Sequence, residues 1–105
     1  MARIDAHQHF WTLDRDDYGW LSADLEPLYK DFAPADLKPL LDAAKISHSI
    51  VVQAAPTIDE TRYLLSLAKQ YDSIAGVVGW LPMDNANISA SALSKLCNDP
   101  KFVGI

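Results

Sequence analysis

Apolar and polar positions along this chain follow two periods, one typical of buried strands and one typical of amphipathic helices. Short apolar runs rich in β-branched residues predict strands at Ser49–Ala55, Ile74–Leu81 and Lys101–Ile105. The opening segment Arg3–Trp11 alternates with period two and predicts a further strand at the start of the chain. The pattern therefore indicates four strands separated by segments of a different period.

Helical spacing of apolar residues predicts a helix after each of the first three strands. The first helix is expected to follow Asp36 as its N-cap and to reach Ala44, because this start places Pro39 in the first turn, where its missing N–H costs no hydrogen bond. Thr57 and Glu60 have the spacing of a capping box, which predicts the start of the second helix.

The third helix is predicted from Asn87 to Cys97, with Cys97 as a small buried side chain. Residues 12–33 lack a clean period and predict a long loop with at most one helical turn, around Ala23–Tyr29. Strands and helices thus alternate along the chain. This order predicts an α/β fold in which parallel strands are joined by helical crossovers.

The spacing of the later strands, about 25–28 residues, is typical of repeated βα units with short loops. A complete barrel of eight such units needs about 250 residues, whereas the chain has 105. We therefore expect residues 1–105 to be the N-terminal segment of one incomplete (β/α)8 barrel domain, with about three βα units and the start of strand 4. An open strand edge also favours self-association into a homo-oligomer.

Composition and charge exclude several classes of function. The chain has 9 Lys and Arg against 14 Asp and Glu, for a formal net charge of −5. It therefore has no basic patch for nucleic acid and is repelled by an anionic membrane surface. No apolar run approaches the roughly 18–20 residues of a membrane span, and the first nine residues do not resemble a signal peptide. One cysteine excludes an internal disulfide and favours a reducing compartment, so the expected location is the cytoplasm.

A pair of histidines near the end of the first strand carries the clearest chemical signal. His7 and His9 are two positions apart, so in a strand both side chains point to the same side and are close enough to share one metal ion. Neutral imidazoles suit zinc, manganese or iron, and Asp5 on the same face is expected to orient one of them. The alternative is that the pair only forms hydrogen bonds. The third histidine, His48, is expected at the opposite end of the sheet.

Three further side chains are candidates to contact a substrate at the same edge. Gln53 interrupts an apolar strand near its carboxyl end, where a buried amide either binds a ligand or satisfies neighbouring backbone. Trp80 occupies the matching place on the next strand, as a pocket wall or as core. Trp11 begins an aromatic loop, which either covers a substrate or packs against the protein.

Six phrases in order along the chain resemble a known family: IDAHQHFW, DYGWL, PLYKDFAPADLKPLL, VVQAAPTIDETRYLLSLA, IAGVVGW and DPKFVGI. They resemble the amidohydrolase-related branch of the amidohydrolase superfamily. Within that branch they are most similar to the sugar-lactonase group, the L-fuconolactonase-like and L-rhamnonolactonase-like hydrolases. The resemblance covers the whole chain and about the first third or more of the family pattern.

The resemblance implies a distorted (β/α)8 barrel that opens a small-molecule lactone ring by water attack. Some members use one divalent metal, here zinc or manganese, and others are metal-independent. His7 and His9 match the family's metal-binding pair, and Gln53, Trp80 and Trp11 would then contact the substrate.

The aspartate that this family uses as general base is expected beyond Ile105, so no catalytic residue is expected within the chain. The 105-residue chain alone is accordingly expected to be inactive. Two alternatives stay open: a metal-dependent decarboxylase of the same superfamily, and a non-catalytic partial barrel that self-associates.

Overall fold

Residues 2–105 are described by a computed structural model, in which parallel strands alternate with helices. The sheet order is β1-β2-β3-β4, and every neighbouring pair is parallel. The predicted α/β fold of parallel strands with helical crossovers is therefore confirmed. The strands are β1 Ile4–Gln8, β2 His48–Val52, β3 Ile74–Val78 and β4 Phe102–Gly104, and the helices are α1 Pro34–Ala43, α2 Ile58–Gln70 and α3 Ala86–Leu96.

The main core lies between β2, β3 and the inner face of α2. Burial alternates along β2, where Ser49 and Val51 are almost inaccessible and their neighbours are half-buried. Leu64 of α2 and Val77 of β3 are fully buried in the same cluster. The buried faces of β2 and β3 thus pack against the apolar face of α2.

Thr61 joins α2 to the end of β3 at very short range. Its hydroxyl donates to the Trp80 carbonyl at 2.9 Å and accepts from the Trp80 N–H at 2.7 Å. A methyl group at Gly79 would approach this hydroxyl to 2.8 Å and overlap the Thr61 methyl, so only glycine fits between helix and strand. This contact sets the position of Trp80 at the edge of the sheet.

The first helix begins earlier than its pattern predicts. α1 starts at Pro34, which takes the first helical position, and Asp36 accepts from the Ala33 N–H at 2.9 Å instead of acting as the N-cap. Pro39 therefore lies inside the helix, where it cannot donate to the Ala35 carbonyl. Both residues are exposed, so water can bind that carbonyl. The predicted start was wrong because it excluded a proline from the helix interior, whereas here the missing hydrogen bond falls between exposed residues.

The third helix is only loosely attached on its apolar side. The Asn85 side chain caps it by accepting from the Ile88 N–H at 3.1 Å. Leu96 is buried, whereas Ile88 is 49% exposed. Cys97, predicted to be buried, is exposed, because it follows the one residue of this turn that packs into the core. The prediction for Cys97 was wrong.

All four strands are shorter at one or both ends than their apolar runs predict. His9, Gln53 and Trp80 consequently lie just beyond the carboxyl ends of β1, β2 and β3. His48 begins β2 and pairs with Ile4, at the opposite end of the sheet as expected. None of the helices in residues 2–105 has both the length and the apolar content needed to cross a bilayer.

The long loop after β1 contains two short 3-10 turns, Leu13–Arg15 and Ala23–Leu25. Its two ends are joined by an antiparallel bridge between Trp11 and Phe32, with N–H to carbonyl distances of 3.1 and 2.9 Å. The loop is therefore closed at its base and lies over the carboxyl edge of the sheet. The assignment of residues 1–105 to one barrel domain, and the self-association of its open edge, stay predictions.

Candidate active site

His7 and His9 converge at the carboxyl end of β1, as strand alternation predicts. Their Nε2 atoms are 3.1 Å apart, and the ring centroids are separated by 4.8 Å with an interplanar angle of 71°. His9 also reaches the end of β2, where its Nδ1 lies 2.9 Å from the Val52 carbonyl oxygen. Because a carbonyl only accepts, Nδ1 of His9 carries the proton, and its Nε2 presents a lone pair in the neutral ring.

This geometry fits two imidazoles that share one metal ion. Two nitrogens 3.1 Å apart, each bound at about 2.0–2.1 Å, would subtend an angle of about 100° at the metal. The bond from His9 Nδ1 to a carbonyl is the usual outer partner of a histidine ligand, because it fixes both tautomer and ring orientation. Within residues 2–105 no group of three or more His, Cys, Asp or Glu side chains is placed to complete such a site.

Asp5 does not orient an imidazole, contrary to the sequence-based expectation. Its Oδ1 accepts from the backbone N–H of His7 at 3.1 Å, and its Oδ2 accepts a short bond from the Gln8 side-chain amide. The carboxylate is therefore engaged on the backbone side of the strand. Asp5 therefore fixes the main chain at His7 and does not touch the imidazole ring. The register of β1 against β2 shifts between Asp5 and Gln8.

Two tryptophans form an aromatic groove beside His9. The groove has a volume of about 340 Å³ and is lined by His9, Trp11, Trp20 and Ala54. Trp11 is 8% exposed, and its Nε1–H donates to the Lys30 carbonyl at 2.9 Å. Trp11 thus packs against the protein and still contributes an edge to the groove, so both of its predicted roles are compatible with the structure.

Gln53 and Trp80 lie at the same edge but do not line this groove. Both are half-buried, and the Gln53 N–H donates to the Val78 carbonyl at 2.9 Å. This bond holds the end of β2 beside the end of β3. Their contact with a substrate stays a prediction.

A buried ion pair, which the sequence analysis missed, fastens the loop after β1 to α2. The Glu60 side chain is fully buried, and its Oε1 accepts from Arg15 Nη1 at 2.6 Å and from the Tyr18 hydroxyl at 2.9 Å. Its Oε2 accepts from the Ala54 N–H at 2.7 Å. Only half of the predicted capping box forms, because Thr57 accepts from the Glu60 N–H while the carboxylate turns towards the loop.

Besides Glu60, the Arg15 guanidinium donates to the Tyr18 hydroxyl at 2.7 Å and has two further partners on the same side of the loop. Its Nη2 donates to Asp17 at 2.7 Å, and the same Asp17 oxygen accepts from the Thr57 hydroxyl at 2.6 Å. The guanidinium carbon also lies 4.6 Å from the ring centre of Tyr63. In the sequence, Arg15 stands within the acidic run DRDD, which suggests only local ion pairs. Nothing near it in the sequence identifies Glu60, 45 residues later, as its partner.

The Tyr18 phenol is kept protonated by its surroundings. Burial raises its pKa and the Glu60 carboxylate raises it further, against the opposing effect of Arg15. An unfolded tyrosine ionises near about pH 10. The raised pKa therefore stabilises the fold fully below about pH 10, and this stabilisation is lost as the pH rises above that value.

We expect the free energy of unfolding of the native gene product, measured by urea titration, to fall between about pH 10 and 12. Tyr18→Phe removes the ionisable group, so its stability should fall less steeply over the same interval. Equal slopes for the two proteins would contradict the assignment of this pH dependence to Tyr18.

Comparison with known proteins identifies a family for this chain. The amidohydrolase family model matches residues 4–105. The chain is 44% identical over 103 residues to an L-fucono-1,5-lactonase of Burkholderia ambifaria, covering 98% of the chain and 35% of that protein. It is 47% identical over 78 residues to an L-fucono-1,5-lactonase of Burkholderia multivorans, covering 74% of the chain and 26% of that protein.

Two solved structures of an amidohydrolase from Burkholderia multivorans superpose on the sheet and helices. One, with bound zinc, has a TM-score of 0.81 at 40% identity and covers 90% of this chain and 33% of its own. The other, with bound HEPES, has a TM-score of 0.86 at 38% identity and covers 97% and 35%. The chain spans about a third of the length of these proteins. The chain belongs to the amidohydrolase family.

Proposed function

We propose that this chain forms part of a hydrolase that opens a sugar-type lactone ring by water attack. The observation that carries the proposal is the convergence of the His7 and His9 Nε2 atoms, 3.1 Å apart, beside an open aromatic groove at the carboxyl edge of a parallel sheet. Active sites of barrel enzymes lie at this edge. The 44% identity to an L-fucono-1,5-lactonase supports an aldonolactone as the class of substrate.

The histidine pair would hold a divalent metal, zinc or manganese, through its two Nε2 atoms. A solved amidohydrolase structure 40% identical to this chain contains bound zinc, which supports the choice. When bound, the metal supplies a Lewis acid that polarises the lactone carbonyl. The chain's own contribution is orientation: the Val52 carbonyl fixes the His9 tautomer, and Asp5 fixes the backbone at His7. In a metal-independent member, a protonated His7 Nε2 would instead donate directly to the carbonyl oxygen.

The remaining polar and aromatic groups at this edge would bind the sugar. The Gln53 amide can donate to and accept from ring hydroxyls, and Trp80 and Trp11 would supply apolar walls. The proton acceptor for the attacking water is proposed to be the family's aspartate outside these 105 residues. The chain therefore supplies positioning and electrophilic assistance to the reaction.

Hydrolysis of aldonolactones by the native gene product is the direct test. We expect proton release from L-fucono-1,5-lactone with a kcat/KM of about 10⁴ M⁻¹s⁻¹ or more. Treatment with a chelator, followed by addition of zinc or manganese, then reports whether the metal is required. Failure to open any lactone in an aldonolactone panel would contradict the proposal. Release of carbon dioxide from an aromatic acid would support the decarboxylase instead.

A further inference from the structure

Trp20 is an exposed aromatic side chain in a fixed orientation. Its Nε1–H donates to the Ala54 carbonyl at 2.7 Å, and its ring meets Trp11 edge to face, with centroids 5.1 Å apart at 88°. The side chain is nevertheless 43% exposed. The polar end of the indole is thus satisfied by the protein while part of its apolar ring remains open to solvent.

Both partners of this indole are themselves held firmly. Ala54 donates its N–H to the buried Glu60 carboxylate at 2.7 Å, and Glu60 binds Arg15 from the loop that carries Trp20. Trp11 is anchored by its own bond to the Lys30 carbonyl. The indole is therefore positioned before any ligand arrives, which reduces the entropy that binding would cost.

The open part of the indole lines the groove that includes His9. The volume of the groove, about 340 Å³, lies within the range of small-molecule sites. The face of an indole carries negative charge density, which attracts the positively polarised C–H groups on one face of a sugar ring. A ring stacked there would lie next to His9, whose Nε2 is 3.1 Å from that of His7.

We propose that Trp20 is a specificity-determining residue, whose indole stacks on the C–H face of a sugar-lactone ring and presents the ring carbonyl to His7 and His9. This inference rests on the proposed lactonase function. Trp20, in the loop after β1, would then be the residue that distinguishes sugar lactones from unsubstituted lactones.

Two variants separate the aromatic face from the hydrogen bond. Trp20→Phe and Trp20→Leu both lose the bond to the Ala54 carbonyl, but only phenylalanine keeps an aromatic face. In the native gene product, we expect Trp20→Leu to raise the KM for L-fucono-1,5-lactone about tenfold or more, the scale of a lost aromatic stacking contact. Its kcat should change little, and Trp20→Phe, which keeps an aromatic face but loses the bond that positions it, should have a KM between those of the wild type and Trp20→Leu.

Specificity is measured as the ratio of kcat/KM for L-fucono-1,5-lactone to that for δ-valerolactone, which has no ring hydroxyls. The ratio should fall in Trp20→Leu and be retained in Trp20→Phe. Met83→Ala, at a 69% exposed side chain outside the groove, is the matched control. Equal KM values for the leucine and phenylalanine variants would overturn the role of Trp20 and leave the proposed lactonase function standing. A wild type that opens no lactone would overturn the proposed function as well.

Discussion

Replacing Glu60 with alanine is expected to lower the free energy of unfolding by about 3–5 kcal/mol, the range for removing one partner of a buried ion pair. The Glu60 side chain is fully buried, and the Arg15 side chain is 17% exposed. Without the carboxylate, the guanidinium keeps Asp17 but loses its innermost partner. The Tyr18 hydroxyl and the Ala54 N–H lose their acceptor at the same time.

The loss should be concentrated in the loop after β1. Because Glu60 is the buried residue of α2 that binds both Arg15 and Tyr18 of this loop, hydrogen exchange in residues 12–33 should accelerate more than exchange in β2 and β3. Urea titration of the native gene product gives the change in stability, and exchange mass spectrometry locates it.

A neighbouring carboxylate in the same helix provides the control. Asp59 pairs with Arg62 at 3.1 Å, but its side chain is 81% exposed. Surface pairs of this kind contribute about 0–1 kcal/mol, so Asp59→Asn should barely move the urea midpoint. If Glu60→Ala were as mild as Asp59→Asn, the buried network would not stabilise the fold as described.

Loss of either histidine of the pair is expected to abolish metal binding and most of the activity. His7→Ala or His9→Ala leaves one imidazole, which cannot chelate. We expect zinc bound per protein to fall to near zero. We expect kcat/KM to fall more than about 100-fold, because losing a residue that only hydrogen-bonds to a metal ligand already costs up to about 100-fold. Metal analysis of the native gene product and lactone hydrolysis measure the two effects.

The third histidine is the matched control for this experiment. His48 lies at the opposite end of the sheet and contacts the Ser47 hydroxyl at 2.9 Å. His48→Ala should retain both zinc and activity. Retention of zinc and full activity in His7→Ala would contradict the metal-binding role of the pair.

The histidine pair and the order of elements follow from local rules, and this is why the sequence predicts them. The spacing of His7 and His9 matters only through the period of a strand, and their position at the carboxyl edge follows from a parallel sheet. The start of α1 was missed for the opposite reason. Pro39 breaks a local rule, and the hydrogen bond it removes lies between two residues that are exposed.

The buried Glu60–Arg15 ion pair and the aromatic groove depend on contacts between distant parts of the chain. Glu60 fits a capping box by spacing, yet its carboxylate binds Arg15, 45 residues earlier. Trp20 lies in a loop without a period, so its bond to Ala54, 34 residues later, leaves no pattern in the sequence. Tertiary partners of this kind become visible only when the loop is placed over the sheet.

Two contacts of the loop after β1, one at Arg15 and one at Asp17, attach it to the rest of the chain, and these limit how the loop could be exchanged for another. Here the scaffold contributes Glu60 and Thr57 to the anchor, and the loop contributes Arg15 and Asp17. A loop moved to another scaffold would therefore need Glu60 and Thr57 to be present there as well. A loop without the arginine, placed on this scaffold, would leave the Glu60 carboxylate buried without its charged partner.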